Sequence, residues 1–571
     1  MNEQRWVIPK VDHGEISRIR TDFGLTRPTA MVLAHRRIGL SAIETFLYPR
    51  LQHLSDPFLL PGTREAAARL WQAIKKQEHI LIHGDYDTDG ITSASLLAWL
   101  LTENGAVVEC FVPHRIDDGY GLTVASIDKA VSERHRLLVT VDCGINSCDA
   151  VRKANARGLD VIVTDHHQAG ATLPEAVAVI DPRLHDHLED LHCLAGVGVT
   201  FKLCHAFVKY GLENNFGGMD VDLKDGMDLV ALGTVADIVP LLGENRCIVK
   251  HGMKVLSAQR RPGIRALCEM AGLHEQVQPS DITFRLAPRL NAAGRMGDAS
   301  DAMRLLQSTS IVEAYPLASN LDLCNRRRQT TEEETLNSAL AQIAGMDMDK
   351  LHATFVFGRN WHLGVIGIVA SRLVQLFNRP TVVLSINDDG QIHGSGRSVD
   401  GVNLVDTLAT CRDFLDRYGG HPMASGMALC ESNLAGFQVA FESAVGQARA
   451  GMSIGEPRPI NLDGDVGIGE FDEQFFSELE LLEPFGHKHS APRFQIRNVN
   501  GDRVTLAGKK NTRGRLVDSE GKKISFIAFG RIPDEMPPLP WDVVGMPHLN
   551  RYRGTTYSQV QIADVRTATL A

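Results

Sequence analysis

Between residues 79 and 180, five short and almost wholly apolar runs alternate with helical stretches. The runs cover residues 79–83, 107–112, 137–141, 161–164 and 177–180, and they are rich in Val, Ile and Leu. A strand that is apolar on both its alternating faces must be covered on both sides. Helical stretches such as 92–101 and 148–157 lie between the runs and supply that cover. The rhythm predicts an α/β domain built on a mainly parallel sheet.

The 571 residues leave room for roughly three or four domains, with hydrophobic residues at 44%. Wholesale disorder is excluded by that apolar content. Residues 1–45 read as an N-terminal accessory segment and 46–300 as the first α/β unit, while 301–345 form a charged linking helix. The charge run 325–334 in that helix has an ordinary explanation as a solvated face. A smaller α/β unit occupies 346–456, with strands 354–357 and 381–385, a helix 365–377, Gly-rich turns and a helix near 433–450. Residues 457–571 change to short strands and turns, with strands at 493–499, 503–507, 524–529, 542–546 and 557–563, and predict an all-β, OB-like unit.

The formal net charge is -10, so bulk electrostatic coating of nucleic acid is excluded. Locally the balance reverses: residues 491–553 carry twelve Lys or Arg against six Asp or Glu. The start Met-Asn-Glu-Gln-Arg-Trp lacks a basic segment leading into an apolar run, and no apolar run is long enough to span a bilayer. The ten Cys lack zinc or redox spacing. Together these features predict a cytoplasmic protein without membrane attachment.

The chemistry lies in what the strands run into. The first ends in His83-Gly-Asp85-Tyr-Asp87-Thr-Asp89-Gly90, the third in Asp142-Cys-Gly144, and the fourth in Asp165-His166-His167. Ligands of open parallel sheets bind beyond the carboxyl ends of the strands. Carboxylates converging there repel one another unless cations intervene. Mixed Asp and His ligation without thiolates suits Mn2+ or Mg2+, and the surplus of ligands suggests two ions. An EF-hand loop is excluded because its twelfth position, counted from Asp85, is Leu96. Asp237 adds a carboxylate within an apolar stretch, where a helix cap is the ordinary alternative.

These motifs resemble the DHH phosphoesterase superfamily, and within it the exonucleases specific for single-stranded DNA. The resemblance includes Ala-Asp-Ile-Val-Pro-Leu at 236–241 and Gly-Gly-His-Pro-Met-Ala-Ser-Gly at 419–426, the latter similar to the DHHA1 domain. It spans about residues 45–455, and more loosely the all-β tail. The resemblance implies a DHH catalytic domain at 46–300, a DHHA1 substrate-binding domain at 346–456 and an OB-like nucleic-acid-binding domain at 457–571. It implies that Asp87, Asp89, Asp142, His166 and Asp237 bind two metal ions. His83 occupies a metal-binding position of related phosphohydrolases, and Asp85 shares its loop. His167 is expected to face the scissile phosphate, with Asp165 orienting the neighbouring His.

The implied reaction is metal-assisted hydrolysis that releases mononucleotides from the 5′ end of single-stranded DNA, in DNA repair and recombination. A helicase and a single-strand-binding protein are the implied partners, and the chain is expected to be a monomer. Arg115, Ser395, Arg397 and His421 are expected to grip phosphate, and Arg289 and Arg295 to line the strand path. Each Arg has a structural ion pair as its ordinary alternative. After Leu482-Glu-Pro-Phe-Gly486 the chain departs from the family pattern, reading His487-Lys-His-Ser-Ala-Pro492. Two other functions compete: a phosphodiesterase of short or cyclic oligonucleotides, for which the tail is superfluous, and an inactive scaffold, which requires a lost ligand.

Overall fold

The computed structural model describes residues 5–10, 12–113, 121–216, 221–450, 459–552 and 555–568. Two helices, α1 (His13–Phe23) and α2 (Arg27–His35), open the chain. The first sheet contains β1 (His79–Gly84), β2 (Val107–Phe111), β3 (Leu137–Val141), β4 (Asp160–Thr164) and β5 (Ala178–Ile180). Its order is β2-β1-β3-β4-β5 and every pairing is parallel. The expected strands are all present. The helix between β1 and β2, α3 (Thr88–Glu103), starts inside the acidic motif and not at residue 92. Asp87 caps it, accepting from the N–H groups of Asp89 and Gly90, which draws the helix start back to the strand end.

Four further helices cover this sheet and continue its core: α4 (Gly196–Glu213), α5 (Met227–Ala236), α6 (Gly243–Ser257) and α7 (Ala287–Met296). The charged segment that follows divides into a short helix, Ser300–Gln307, and α8 (Ile311–Ile343), capped by Ser310. At 33 residues α8 is about 50 Å long. It packs on α7 at one end and on the second α/β unit at the other.

That unit holds β6 (Thr354–Arg359), α9 (Leu363–Phe377), β7 (Thr381–Ile386), β8 (Gln391–Arg397), β9 (Arg417–His421), β10 (Ala424–Cys430) and α10 (Leu434–Ala448). Its sheet runs β9-β10-β8-β7-β6, antiparallel except for β6 with β7. The Gly-rich stretches expected as turns are therefore partly strands. Gly394 lies within β8, where a Cβ would stand 2.8 Å from Met427, so tight packing and not turning selects glycine.

After α11 (Glu473–Leu482) the chain forms β11 (Phe494–Ala507), β12 (Asn511–Val517), β13 (Lys523–Ala528), β14 (Trp541–Tyr552) and β15 (Thr555–Thr567). They close as β11-β12-β13-β15-β14 and back to β11, with only β13–β15 parallel: a five-stranded OB-type barrel. The two strands expected at 493–507 are one, bent between Asp502 and Thr505. The N-terminal segment is built into this unit. Ile19, Val32, Leu33 and Leu47 share one core with Phe475, Phe494, Phe526 and Val543. Trp6 and Val7 pair with Ile460 and Asn461, and Glu478 accepts the N–H of Thr26 at the start of α2. Among the described residues no helix is long and apolar enough to cross a membrane.

Candidate metal centre

Strand register sets the height of the acidic residues. Gly84 of β1 is level with Val141 of β3, and Val141 with Thr164 of β4. The next residue of each strand, Asp85, Asp142 and Asp165, therefore emerges on one rim of the sheet. Asp142 turns into the left-handed region, with φ 60°, a conformation that costs free energy and concentrates at functional sites. Gly196, at the start of α4, lies against its carboxyl group, and a Cβ there would overlap Asp142. Sequence reasoning missed this glycine because its role depends on a contact with a strand end 54 positions away.

Ligand atoms of Asp85, Asp87 and Asp142 lie within 4.8 Å of one another, as do those of Asp89, His166 and Asp237, and of Asp142, His166 and His167. His166 Nε2 is 3.2 Å from Asp142 Oδ1 and 3.8 Å from Asp237 Oδ2. Its Nδ1 donates to the carbonyl of Leu194 at 3.0 Å, which turns Nε2 toward the carboxylates. Asp89 is fixed by the first N–H groups of α4, those of Gly196 (2.7 Å) and Val197 (2.8 Å). Asn291 of α7, also missed from sequence, accepts the N–H of Thr88 at 2.7 Å and braces the acidic loop.

The electrostatics call for cations. Burial, with the charges of Asp89, Asp87, Asp85 and Asp237, pushes Asp142 well above the ordinary carboxylate range. Burial and then Asp89 and Asp87 push Asp237 up to about 9, and burial and then Asp87 push Asp89 to about 7. Burial and then the charge of His167 bring His166 down to about 3, leaving a neutral imidazole suited to ligation. An all-oxygen and imidazole donor set with this much uncompensated charge fits hard divalent ions.

His83 is placed differently from the sequence expectation. It belongs to none of these groups among the described residues. Its Nε2 is 3.0 Å from Ser126 Oγ and its Nδ1 3.7 Å from Cys143 Sγ, because the side chain of this strand residue points into the domain. Asp85, two residues on, reaches the rim instead.

Beside the acidic groups lies a cavity of about 370 Å³, lined by Gly144, Ser147, Asp165 and His167 and closed by His421 from the second unit. The structure thus brings His421 across to the strand ends. Arg295 Nη1 donates to the carbonyl of Gly364 in the first turn of α9 at 3.4 Å. Ser395 and Arg397 lie against Gly367 of the same helix, and Arg397 donates to Ser395 Oγ at 2.9 Å. These three residues therefore gather at the positive end of one helix. Arg289 departs from the expected strand path: it pairs with Asp322 of α8 at 2.9 Å and donates to the carbonyl of Arg285. Arg115 falls outside the described residues.

Three family models match the chain: the DHH family N-terminal domain over 79–234, the DHHA1 domain over 347–447 and the RecJ OB domain over 462–564. The single-stranded-DNA-specific exonuclease RecJ of Bacillus subtilis (strain 168) is 32% identical over 99% of this chain and 71% of its own length. That of Escherichia coli (strain K12) is 37% identical over 76% of this chain and 78% of its own. The crystal structure of RecJ with Mn2+ from Thermus thermophilus superposes with a TM-score of 0.84 at 30% identity, covering 100% of this chain and 81% of that one. A Mg2+ complex of RecJ from the same organism gives a TM-score of 0.78 at 29% identity, covering 99% and 79%. The chain belongs to the RecJ family of single-stranded-DNA-specific exonucleases.

Proposed function

We propose that this chain is an exonuclease that hydrolyses single-stranded DNA to mononucleotides from the 5′ end, using two divalent ions. The observation that carries the assignment is the adjoining pair of ligand groups, Asp85–Asp87–Asp142 and Asp89–His166–Asp237. Ions held there would supply Lewis acidity at the phosphodiester and neutralise the crowded carboxylates. The RecJ structures with Mn2+ and Mg2+ support the choice of ions.

The chain's own groups do the rest. Asp142 belongs to the first ligand group and lies 3.2 Å from His166 of the second, and His166 offers one nitrogen because the other is held by Leu194. Asp165 holds His167 at the edge of the cavity, where its imidazole stabilises charge on the leaving oxygen. Arg295, Ser395, Arg397 and His421 hold the terminal phosphate, with Arg115 assigned the same task by resemblance. A site that grips a chain end beside the reacting bond cuts one nucleotide at a time. Residues 46–300 thus carry the reaction, 346–456 the end of the strand, and 457–571 its continuation.

The barrel favours long strands over short or cyclic oligonucleotides. Arg513 and Arg515 are exposed on β12, beside the exposed Lys523 of β13, and Phe529 is 56% exposed at the end of that strand. Cations beside an exposed ring suit a backbone with unstacked bases. A duplex substrate must first be opened, so a helicase is the partner class this activity needs, in repair and recombination.

The test is one assay on single- and double-stranded DNA labelled at either end, with Mn2+, Mg2+ or chelator. Mononucleotides are expected at once from the 5′ end of single strands, and none with chelator. Degradation from the 3′ end, or equal attack on blunt duplex, overturns the assignment.

A further inference from the structure

The loop that delivers Asp237 runs from the end of α5 to the start of α6, residues 237–242. It passes through Ile238 at φ 59°. A β-branched residue in the left-handed region persists only where its surroundings over-determine the backbone. Two ties do so from the far side of the loop. Asn245 Nδ2 donates to the carbonyl of Pro240 at 3.0 Å and to that of Cys193 at 2.6 Å. The N–H of Leu241 donates to the carbonyl of His487 at 3.0 Å, and Leu241 packs on Gly486.

His487 belongs to the segment 481–489, which departs from the family pattern after Gly486 and leads into the barrel. One buried cation anchors it. Arg246 of α6 is 1% exposed and donates to the carbonyls of Leu481 (2.8 Å), Glu483 (3.0 Å), Pro484 (3.4 Å) and, in the N-terminal segment, Phe46 (2.8 Å). Among the described residues, its hydrogen bonds go to carbonyl oxygens alone. Lys250, one turn on, donates to the carbonyls of Leu47 and Leu481. His489 closes the segment, 2.7 Å from the carbonyl of Leu482 and 2.8 Å from Arg36 Nη1. A planar cation caged by carbonyls from two separate segments fixes their relative position far more tightly than apolar contact does.

We propose that residues 481–489, anchored by Arg246, are the positioning element of the Asp237 loop, so that the C-terminal unit forms part of the metal crevice's framework. The proposal rests on Asp237 being a metal ligand. It places a second function on the junction, beyond linking the barrel to the catalytic unit: strand binding and metal geometry share one hinge.

The test uses the full chain, with Gly486→Val, whose side chain displaces Leu241, and Asn245→Ala, which frees Pro240. Mn2+ affinity is measured by electron paramagnetic resonance, and amide exchange of residues 238–242 in metal-free protein. Both variants are expected to weaken the lower-affinity Mn2+ by about tenfold or more and to speed exchange at Leu241. Phe441→Leu, in the separate core of the second α/β unit, controls for general destabilisation and is expected to leave both unchanged. Mn2+ affinity and exchange that stay at the wild-type level in both variants, or shift equally in the control, overturn the proposal. Asp237→Asn separates the two claims. If it leaves Mn2+ affinity unchanged, Asp237 is not a ligand, and the exchange rate alone then decides whether the junction positions the loop.

Discussion

Asp165 Oδ1 lies 2.7 Å from His167 Nδ1 and also accepts the backbone N–H groups of His166 (2.7 Å) and His167 (3.1 Å). Its other oxygen accepts the N–H of Ile145 at 2.9 Å. One carboxylate thus fixes the turn that carries both imidazoles, and it does so for His167, resolving which neighbour it orients. Burial acts to lower the His167 pKa, but the hydrogen bond and charge of Asp165 outweigh it and raise the value.

Asp165→Asn is therefore expected to lower kcat by about 100-fold or more, with a small change in KM. The high-pH limb of the rate profile should move to lower pH, since His167 loses the partner that holds its proton. Steady-state kinetics between pH 6 and pH 10 test this. An unchanged kcat would remove His167 from the reaction.

Asp142 predicts opposite effects on two states of one protein. Its burial among four other carboxylates destabilises the metal-free fold, and bound ions reverse that. Asp142→Asn should raise the melting temperature of chelated protein by about 2 °C or more. The same substitution should abolish most of the stabilisation by Mn2+ and nearly all activity. Thermal scans with chelator and with Mn2+ check both signs. A lower melting temperature in chelator would contradict the electrostatic account.

The first sheet was legible because each strand is apolar throughout and its successor residues are polar, so both the element and its functional end are local features. Asp85, Asp87, Asp89, Asp142 and His166 stand at such strand ends, Asp237 was named from the apolar motif around it, and the structure brings the six side by side. Sequence position does not reveal which side of the strand end a side chain takes, and His83 lies against Ser126 and Cys143. Gly196, Asn291 and Arg246 were missed because each acts through a contact between elements distant in sequence. The joining of residues 13–47 to the barrel core was hidden for the same reason.

His489 gives the junction a pH dependence. Burial, then the charges of Arg36 and Arg246, bring it down to about 3, against 6.5 for an unburied histidine. The unfolded chain therefore takes up a proton first as pH falls. The stability from neutral His489 is complete above about pH 6.5 and is lost progressively toward pH 3. Between pH 7.5 and pH 5 the wild type should lose about 1–2 kcal/mol more than His489→Gln, at about 1.4 kcal/mol per unit. Urea denaturation at the two pH values measures the difference, and equal losses would contradict a neutral buried His489.

Removing residues 457–571 is a poor test of the barrel, because it uncovers Ile19, Val32 and Leu33. Reversing charge on its face is cleaner. Arg513 is paired in register with Ile527 and Arg515 with Ser525, so both side chains stand on the outer face of β12 and β13. The double variant Arg513→Glu, Arg515→Glu should weaken binding of long single strands. It should also reduce the slope of log K against log salt by about 0.7 per lost phosphate contact. Cleavage of a very short oligonucleotide should be little affected. An unchanged salt slope would place the strand elsewhere.

Arg397 is expected at the phosphate and Arg289 along the strand path, each with an ion pair as its alternative, and the two sit in different surroundings. Arg289 bridges α7 to α8 through Asp322, which also pairs with Arg326. With Asp322 only 8% exposed, removing the Arg289 guanidinium leaves a buried charge with Arg326, itself largely exposed, as its remaining ion-pair partner. Arg289→Met should therefore cost about 2 kcal/mol or more of stability while the substrate KM holds within about twofold. Arg397 sits half-buried on β8, held by Ser395 of the same strand against Gly367 of α9. Arg397→Met should leave the melting temperature nearly unchanged and raise KM about tenfold or more for 5′-phosphorylated strands. Strands with a 5′-hydroxyl should show a smaller rise, since they lack the phosphate that Arg397 is proposed to bind. Kinetics on the two substrates, beside thermal scans of both variants, decide the matter. An equal rise for both substrates would detach Arg397 from the terminal phosphate.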